Sequence, residues 1–376
     1  MGLSFEKTTV LVARALGMST AELRADFRPA RRADLESIVE VRRRVLGDFL
    51  TWDDPGYLQW RYDFDGGQDA RGTCLVVARG NRVLGMIGAE FIRLAAKDEI
   101  VEALSLMDIM VDPELDGSGL GIWLNMAVFA DHPVVIEIGA NPNSIGLITK
   151  LFHRLPDRRD YIAPLTLRRY LNNRLGNRTL ARFIALPADA VLSLLRRLAA
   201  RRSPANWDLH PLTRFDASVE RLFARRWAAS EVTFERTSDY LNWRLFSNPR
   251  AKCSVMGAFS NGELVGYSAY QVRDRPDGLR FVSLVDWLVD ERFGLVGAMD
   301  LFQQTIALAT RDGADFVSVT HLHSGTQGRL WRLGFVGLPA PFNTVGLHCS
   351  APTVLPQLDQ SPWFLTEANT DRDGLT

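Results

Sequence analysis

The sequence predicts an α/β protein built from one domain used twice. Three observations carry this. Tyr57-Leu58-Gln59-Trp60-Arg61 recurs as Tyr240-Leu241-Asn242-Trp243-Arg244, about 180 positions on. The blocks that follow recur in the same order. Each copy has an apolar run opening at Cys74 or Cys253, then a polar turn and Val83-Leu84-Gly85 or Leu264-Val265-Gly266. Leu106 to Asp112 or Leu284 to Asp290 come next. Within each copy, strand-like and helix-like apolar patterns alternate, the order of an α/β domain.

The elements follow in order. Residues 1–25 form an N-terminal extension, and the first domain is predicted over 26–160. It opens with a helix, Ala33 to Arg44, and the Tyr57–Arg61 block. A hairpin around Arg79-Gly80-Asn81 follows, then a central strand through Leu106–Val111. A helix from Ile122, a buried strand Val134–Ile138 and a last helix complete it. Residues 161–206 form an arginine-rich linker. Its stretch from Ala188 to Arg202 has helical apolar spacing at Val191, Leu194, Leu195 and Leu198, with the arginines on the other side. That pattern predicts an amphipathic helix packed on a domain; contact of 168–202 with an anionic membrane surface is the alternative. The second domain, 207–350, repeats the plan: a helix Ser218–Ala228, a hairpin around Ser260-Asn261-Gly262, and a buried strand Phe316–Thr320. The polar tail 351–376 is expected to be loosely ordered.

Composition bounds the function. The 376 residues hold 44 Lys+Arg and 44 Asp+Glu, so the chain lacks the basic excess of non-specific nucleic-acid binding. With 47% hydrophobic residues it is neither disordered nor a disulfide scaffold. Cys74, Cys253 and Cys349 read as reduced core residues. Glu6, Lys7 and Arg14 break the N-terminal apolar stretch, so no secretory signal is read and a cytoplasmic location is expected.

The chemistry concentrates between Asp108 and Phe152. A strand ends at Val111-Asp112-Pro113, the loop Glu114-Leu115-Asp116-Gly117-Ser118-Gly119-Leu120-Gly121 follows, and an apolar helix begins at once. Alternating glycines at a strand-to-helix turn let amides approach an anion, and the helix start adds its partial positive charge. The spacing is not the dinucleotide fingerprint, and no Lys-Ser/Thr makes it a P-loop.

Val111-Asp112-Pro113-Glu114 followed by Gly119-x-Gly121 resembles the acyl-CoA loop of the GNAT acyltransferase superfamily. Asn141-x-x-Ser144-x-x-Leu147-Ile148-x-x-Leu151-Phe152 is similar to that family's later motif, and Phe27-Arg28-Pro29-Ala30 to its opening strand. The resemblance implies a tandem duplication of the GNAT fold, a mixed central sheet flanked by helices. It implies acyl-CoA, most simply acetyl-CoA, as co-substrate. The activity implied is N-acyl transfer to an amine of a small molecule, sugar or peptide. Ile109, Met110 and Val111 would supply the oxyanion donor; Gly117, Ser118, Gly119, Leu120, Gly121, Asn141 and Ser144 would hold the CoA. Asp116 stands where the family has Gln or Arg, and Ile148 where it has Tyr. In copy two, Leu333-Gly334-Phe335 matches the closing motif, but Leu295 and Met299 replace Gly117 and Gly121. That copy reads as a degenerate partner that builds substrate-binding surface.

Asp108 and Glu102 are the candidate bases, with Glu137 on the neighbouring strand. Alternation places Glu102 and Asp108 on one face if the strand stays regular. Asp286 recurs at the position of Asp108, which equally suits a carboxylate serving a strand irregularity. Trp60-Arg61 and Trp243-Arg244 suit packing and ion pairing. His321-x-His323 lacks an apparent third ligand, so no metal is expected and the pair is read as lining the cleft of copy two. Two other classes fit the fold: a non-catalytic interaction or regulatory protein, and an aminoacyl-tRNA-dependent transferase resembling the FemABX type. Neutral charge argues against the second, and no nucleic-acid partner is expected.

Overall fold

A computed structural model describes residues 4–47, 55–65, 71–97, 99–139, 144–200, 207–227, 229–339 and 343–370. The chain divides into two compact units. Unit 1 holds Met1–Leu94, Ile100–Leu155 and Thr344–Asp359; unit 2 holds Ala95–Glu99, Pro156–Asn343 and Gln360–Thr376.

The first elements are α1 (Phe5–Ala15), α2 (Thr20–Asp26), β1 (Phe27–Pro29), α3 (Leu35–Leu46), α4 (Pro55–Arg61) and β2 (Gly72–Arg79). Next come β3 (Arg82–Ala96), β4 (Glu99–Val111), α5 (Leu120–Asp131), β5 (Val134–Ile138), α6 (Ile145–Leu151) and β6 (His153–Leu155). The chain continues through β7 (Arg159–Pro164), α7 (Arg168–Leu175), α8 (Arg178–Ala200), β8 (Asp208–Leu212), α9 (Ser218–Ala224) and β9 (Thr233–Phe234). Then follow α10 (Ser238–Leu241), β10 (Ser254–Ser260), β11 (Glu263–Asp274), β12 (Arg280–Val289) and α11 (Gly294–Arg311). It ends with β13 (Phe316–His321), α12 (Ser324–Gln327), β14 (Val336–Leu338), β15 (Val345–Cys349) and α13 (Leu355–Gln360).

The repeated sequence blocks become repeated elements. Both Tyr-Leu-x-Trp-Arg blocks are helical turns that bury Tyr, Leu and Arg on one side: Tyr57, Leu58 and Arg61 in α4, and Tyr240, Leu241 and Arg244 across α10 and the turn after it. Both hairpins form where the polar turns stand, β2–β3 and β10–β11. Gly80 (φ 61°), and Asn261 (φ 51°) with Gly262 (φ 77°), supply the left-handed turn residues.

In unit 1 the sheet runs β1-β2-β3-β4-β5-β15-β6; in unit 2 it runs β14-β7-β13-β12-β11-β10-β8. The central pairs β4–β5 and β12–β13 are parallel, whereas β2–β3 and β11–β12 are antiparallel. The last strand inserted in each sheet comes from elsewhere in the chain. β15, which follows the second copy, lies antiparallel between β5 and β6. β7, which follows the first copy, lies antiparallel between β13 and β14.

Helix α5 is apolar nearly all round because it is covered on two sides. Leu120, Leu124 and Val128 belong to the sheet-side core, and α1 covers Trp123. The Trp123 indole donates to Thr9 Oγ1 at 2.9 Å and lies 6.0 Å from the Phe5 ring. The N-terminal extension is thus core material of unit 1.

Two expectations change. The tail is not loose over its described part: Trp363, Phe364, Leu365 and Ala368 are buried in unit 2, where Leu365 bridges Leu322 and Phe364 bonds Val232. Apolar side chains spaced among the polar ones anchor it. The linker helix begins at Arg178, ten residues before the expected start. Val191 and Leu194 are exposed, whereas Ala181 and Ala185 face inward.

Candidate active site

The loop after β4 is built by local chemistry. The Asp112 side chain accepts from Glu114 N and caps the single turn Pro113–Leu115. It is itself buried and held by Arg82 at 2.7 Å and Arg44 at 3.3 Å. Burial opposes its charge, but those guanidiniums and the Glu114 amide hold its carboxyl below the usual range. Asp116 accepts from Gly117 N at 2.9 Å, so the charge at the family's Gln/Arg position is engaged within the loop.

Gly117 (φ 77°) and Gly119 (φ 81°) are left-handed, and Gly119 is the cap residue of α5. A side chain at Gly117 would meet nothing within 4 Å, so the space in front of the loop is open. The first helical amides have no intrahelical acceptor by construction; Trp123 N is the first to bond back, to Gly119 O at 3.1 Å. Ser118 Oγ accepts from Leu120 N at 3.3 Å, and Leu120 points into the core. One turn into α5, Asn125 is fully buried and donates to Gly121 O, while its Oδ1 has no hydrogen-bond partner among the described residues.

Beside the loop, the sheet opens. β4 and β5 pair through Leu104↔Val135, Ser105↔Ile136 and Leu106↔Glu137, and the ladder stops there although β4 runs on to Val111. Asp108 takes φ 51°, a left-handed kink in the strand. Asp112 N still bonds Leu84 O on β3. Successive amides point to opposite strand edges, so those of Val111 and Ile109 face the edge that β5 has left. Glu137 sits in the last registered pair, at the mouth of this gap, with 7% exposure. Ile148 is buried in the same core.

The predicted acids part company. Asp108 is buried, 6% exposed at the side chain, 2.9 Å from Arg42 and accepting from the Tyr62 hydroxyl at 2.6 Å. Burial raises its pKa, but Arg42 and Tyr62 outweigh it and the carboxyl stays ionised below its ordinary range. Glu102 is 80% exposed and 3.3 Å from Arg93. Six residues separate the two acids, about 20 Å of strand. They do not share an environment, because the kink at Asp108 breaks the alternation. Arg42 and Tyr62 escaped the sequence reading. The signal for Arg42 was an arginine inside the apolar stripe Ile38, Val41 of α3.

Ser144 precedes α6, and its carbonyl accepts from Leu147 and Ile148 amides. Asn141 lies outside the described residues. In unit 2 the matched places differ. The β12–β13 ladder also stops early, at Leu284↔Val319, so an uncharged valine stands where unit 1 has Glu137. α11 starts at Gly294, and a side chain at Gly297 would strike Phe293, Val289 and Trp207. Aromatic rings fill that helix start: Trp207 and Phe293 are 5.2 Å apart. Asp286 repeats the burial of Asp108, with Arg236 at 2.9 Å and the Tyr267 hydroxyl at 2.6 Å. His321 and His323 both bond Thr326 and are held neutral by burial down to about pH 3. Among the described residues no three metal-ligating side chains cluster.

No protein-family model matches the chain, and no curated protein matches it. Solved structures do. A GCN5-related N-acetyltransferase from Anabaena variabilis superposes with TM-score 0.56 at 12% identity, over 85% of this chain and 72% of that one. An Enterococcus faecalis protein described as a probable N-acyltransferase gives 0.56 at 7% identity, over 85% and 71%. Saccharomyces cerevisiae N-myristoyltransferase, solved with myristoyl-CoA, gives 0.53 at 13% identity, over 86% and 78%. Parted parallel strands, a glycine loop opening the following helix and these superpositions together give the chain the fold of the GNAT acyl-CoA N-acyltransferases.

Proposed function

We propose that the protein is an acyl-CoA-dependent N-acyltransferase whose first unit does the chemistry. The observation that carries this is the coincidence, in unit 1 alone, of the strand gap after Leu106↔Glu137 with a glycine loop that is open at Gly117 and has only ordinary contacts, to Val12 and Val111, at Gly119 and Gly121. The residues fit the pyrophosphate of a CoA: left-handed glycines, unfilled space and first-turn amides of α5. Gly117, Ser118, Gly119 and Gly121 would hold it by backbone, with Leu120 anchoring the loop to the core. Asn141 and Ser144, at the start of the later motif, are assigned to the CoA arm. Unit 2, whose helix start is filled, is assigned no cofactor; acetyl is the simplest acyl group.

The co-substrate supplies an acyl group activated as a thioester: the acceptor amine's C–N bond forms as C–S breaks, and the amine's proton ends on sulfur. The chain's task is to stabilise charge on the acyl oxygen and to take the first proton from the ammonium. The Val111 and Ile109 amides face the gap and suit the first role, with Met110 between them packed in the core. Glu137, at the mouth of the gap, suits the second. Asp108 is assigned as a positioning residue, since its Oδ2 is held by both Arg42 and Tyr62 in a buried site and unit 2 keeps a like arrangement at Asp286. Glu102 is too far along β4 to serve.

Calorimetric titration with acetyl-CoA and longer acyl-CoAs tests the reading. Saturable binding is expected, lost in Gly119→Trp, with an amine screen then showing Glu137→Gln reduced roughly 100-fold or more in kcat at unchanged CoA affinity. No binding to any acyl-CoA overturns the proposal, and binding that survives Gly119→Trp moves the site out of unit 1.

A further inference from the structure

We infer that the α7–α8 hairpin of unit 2 docks on an anionic membrane surface, seating lipid phosphate between Arg168, Arg178 and Arg182 and sinking the outer side of α8 among acyl chains. The inference is independent of acyl transfer and rests on three features of this hairpin.

α8 packs the wrong way round for a helix of a soluble core. Ala181 and Ala185 face the protein at 1% exposure. Its large apolar side chains face out: Phe183 is 74% exposed, Leu186 59%, Val191 56%, Leu194 56%, Leu180 48% and Ile184 46%. At 100° per residue these six share one side of the helix. Single exposed apolar residues mean little, but a continuous stripe marks an interface.

The polar flank of that stripe is cationic and open. Between 165 and 194 the chain has five arginines and one acid. The acid, Asp189, is spent inside, accepting from Thr166 Oγ1 and Leu167 N. Arg169 is engaged by Asp315 at 3.1 Å, whereas no carboxylate among the described residues pairs with Arg168, Arg178 or Arg182. Those three line a cavity of about 410 Å³ whose other wall is Phe183 and Leu186. Arg168 and Arg178 also border a neighbouring cavity of about 590 Å³. A guanidinium cluster is matched to a phosphate, and here it opens beside the apolar Phe183 and Leu186, the layout of a phospholipid at the headgroup–acyl boundary.

The third feature is the turn Leu330–Leu333, which packs against α8 and exposes Trp331 at 68%. An indole beside such a stripe suits headgroup depth. No helix of the described residues is long and apolar enough to cross a bilayer, so the fit is to a surface-lying helix. A nucleic acid would use the arginines and leave the five aliphatic side chains beside Phe183 in water. A second copy would cover the stripe and leave the arginine cavities unmatched.

Vesicle co-sedimentation of the full chain decides it, with phosphatidylcholine alone and with about one third phosphatidylglycerol. Binding is expected to the anionic vesicles only, weakening as salt rises. Arg178→Ala and Arg182→Ala should each lower the partition coefficient roughly fivefold. Phe183→Asp should abolish binding with an unchanged melting temperature. Equal binding to both vesicle types, or none to either, overturns the inference. So does a concentration-dependent dimer that Phe183→Asp dissolves without any vesicle binding.

Discussion

Asp108 shows how burial separates architecture from chemistry. A carboxylate 6% exposed, facing a fully buried guanidinium at 2.9 Å, is part of a closed charge pair. Unit 2 builds the same trio of Asp286, Arg236 and Tyr267 around a helix start that holds no open loop. A feature kept where the glycine loop is replaced is architectural, and it does not need the positive φ, which Asp108 has and Asp286 lacks. Removing one partner of such a pair leaves the other buried and uncompensated. Asp108→Asn should therefore destabilise the protein by about 3–5 kcal/mol, and Asp108→Leu combined with Arg42→Met should recover most of it. Denaturant melts of the three proteins check this; a loss below about 1 kcal/mol in Asp108→Asn would return Asp108 to the list of candidate bases.

At the scale of elements, the site depends on how closely α5 lies on the sheet. Gly85 on β3 makes that approach possible: a Cβ there would come within 2.9 Å of Leu120 Cδ2 and 3.3 Å of Met110 O. Gly266 repeats the arrangement under α11, with Leu288 O at 3.1 Å. Gly85→Val should cost about 1–3 kcal/mol by overpacking and weaken acyl-CoA binding, because the start of α5 moves with Leu120. Calorimetry beside a thermal melt separates the two effects, and unchanged affinity would mean that the loop is positioned independently of α5. The hairpins, β5 and the loop-to-helix turn were legible because turn residues and apolar runs are local signals. The kink at Asp108 was not legible: Asp286 has a matching arginine and tyrosine without a positive φ, so residue type and partners do not announce it.

For the whole molecule, two buried acids set opposite limits on stability with pH. Glu231 is buried near His323, bonded by Ser324, and burial pushes it up to about 7. Its folded value lies above its unfolded one, so its contribution is full below about pH 4.5 and is lost as pH rises through 7, about 2–3 kcal/mol. Asp290 is also opposed by burial, but the Arg292 and Arg225 bonds bring it to about 2. Its contribution is present above about pH 4 and is lost as pH falls through 2. Arg292 is half-exposed, which screens the effect to about 1 kcal/mol. Glu231→Gln should thus raise the melting temperature more at pH 8 than at pH 5. An equal shift at both would mean that Glu231 does not change protonation on folding.

Legible in the sequence alone were the α/β class, the recurring blocks, the two hairpins, the central strands of each block and the glycine loop present in the first block only. Periodicity, turn residues and residue size act over a few neighbours and survive in a linear reading. Only the tertiary structure decided that β15 completes the first sheet and β7 the second, because antiparallel insertion joins residues about 210 positions apart in the first and about 155 in the second. It alone decided that Asp108 is ionised in a closed pair with Arg42 while Glu137 ends the β4–β5 ladder, since burial and position, not residue type, set what a carboxylate can do. And it alone turned the apolar side of α8 outward: amphipathic spacing fixes which residues share a side, but only packing decides which side meets the protein.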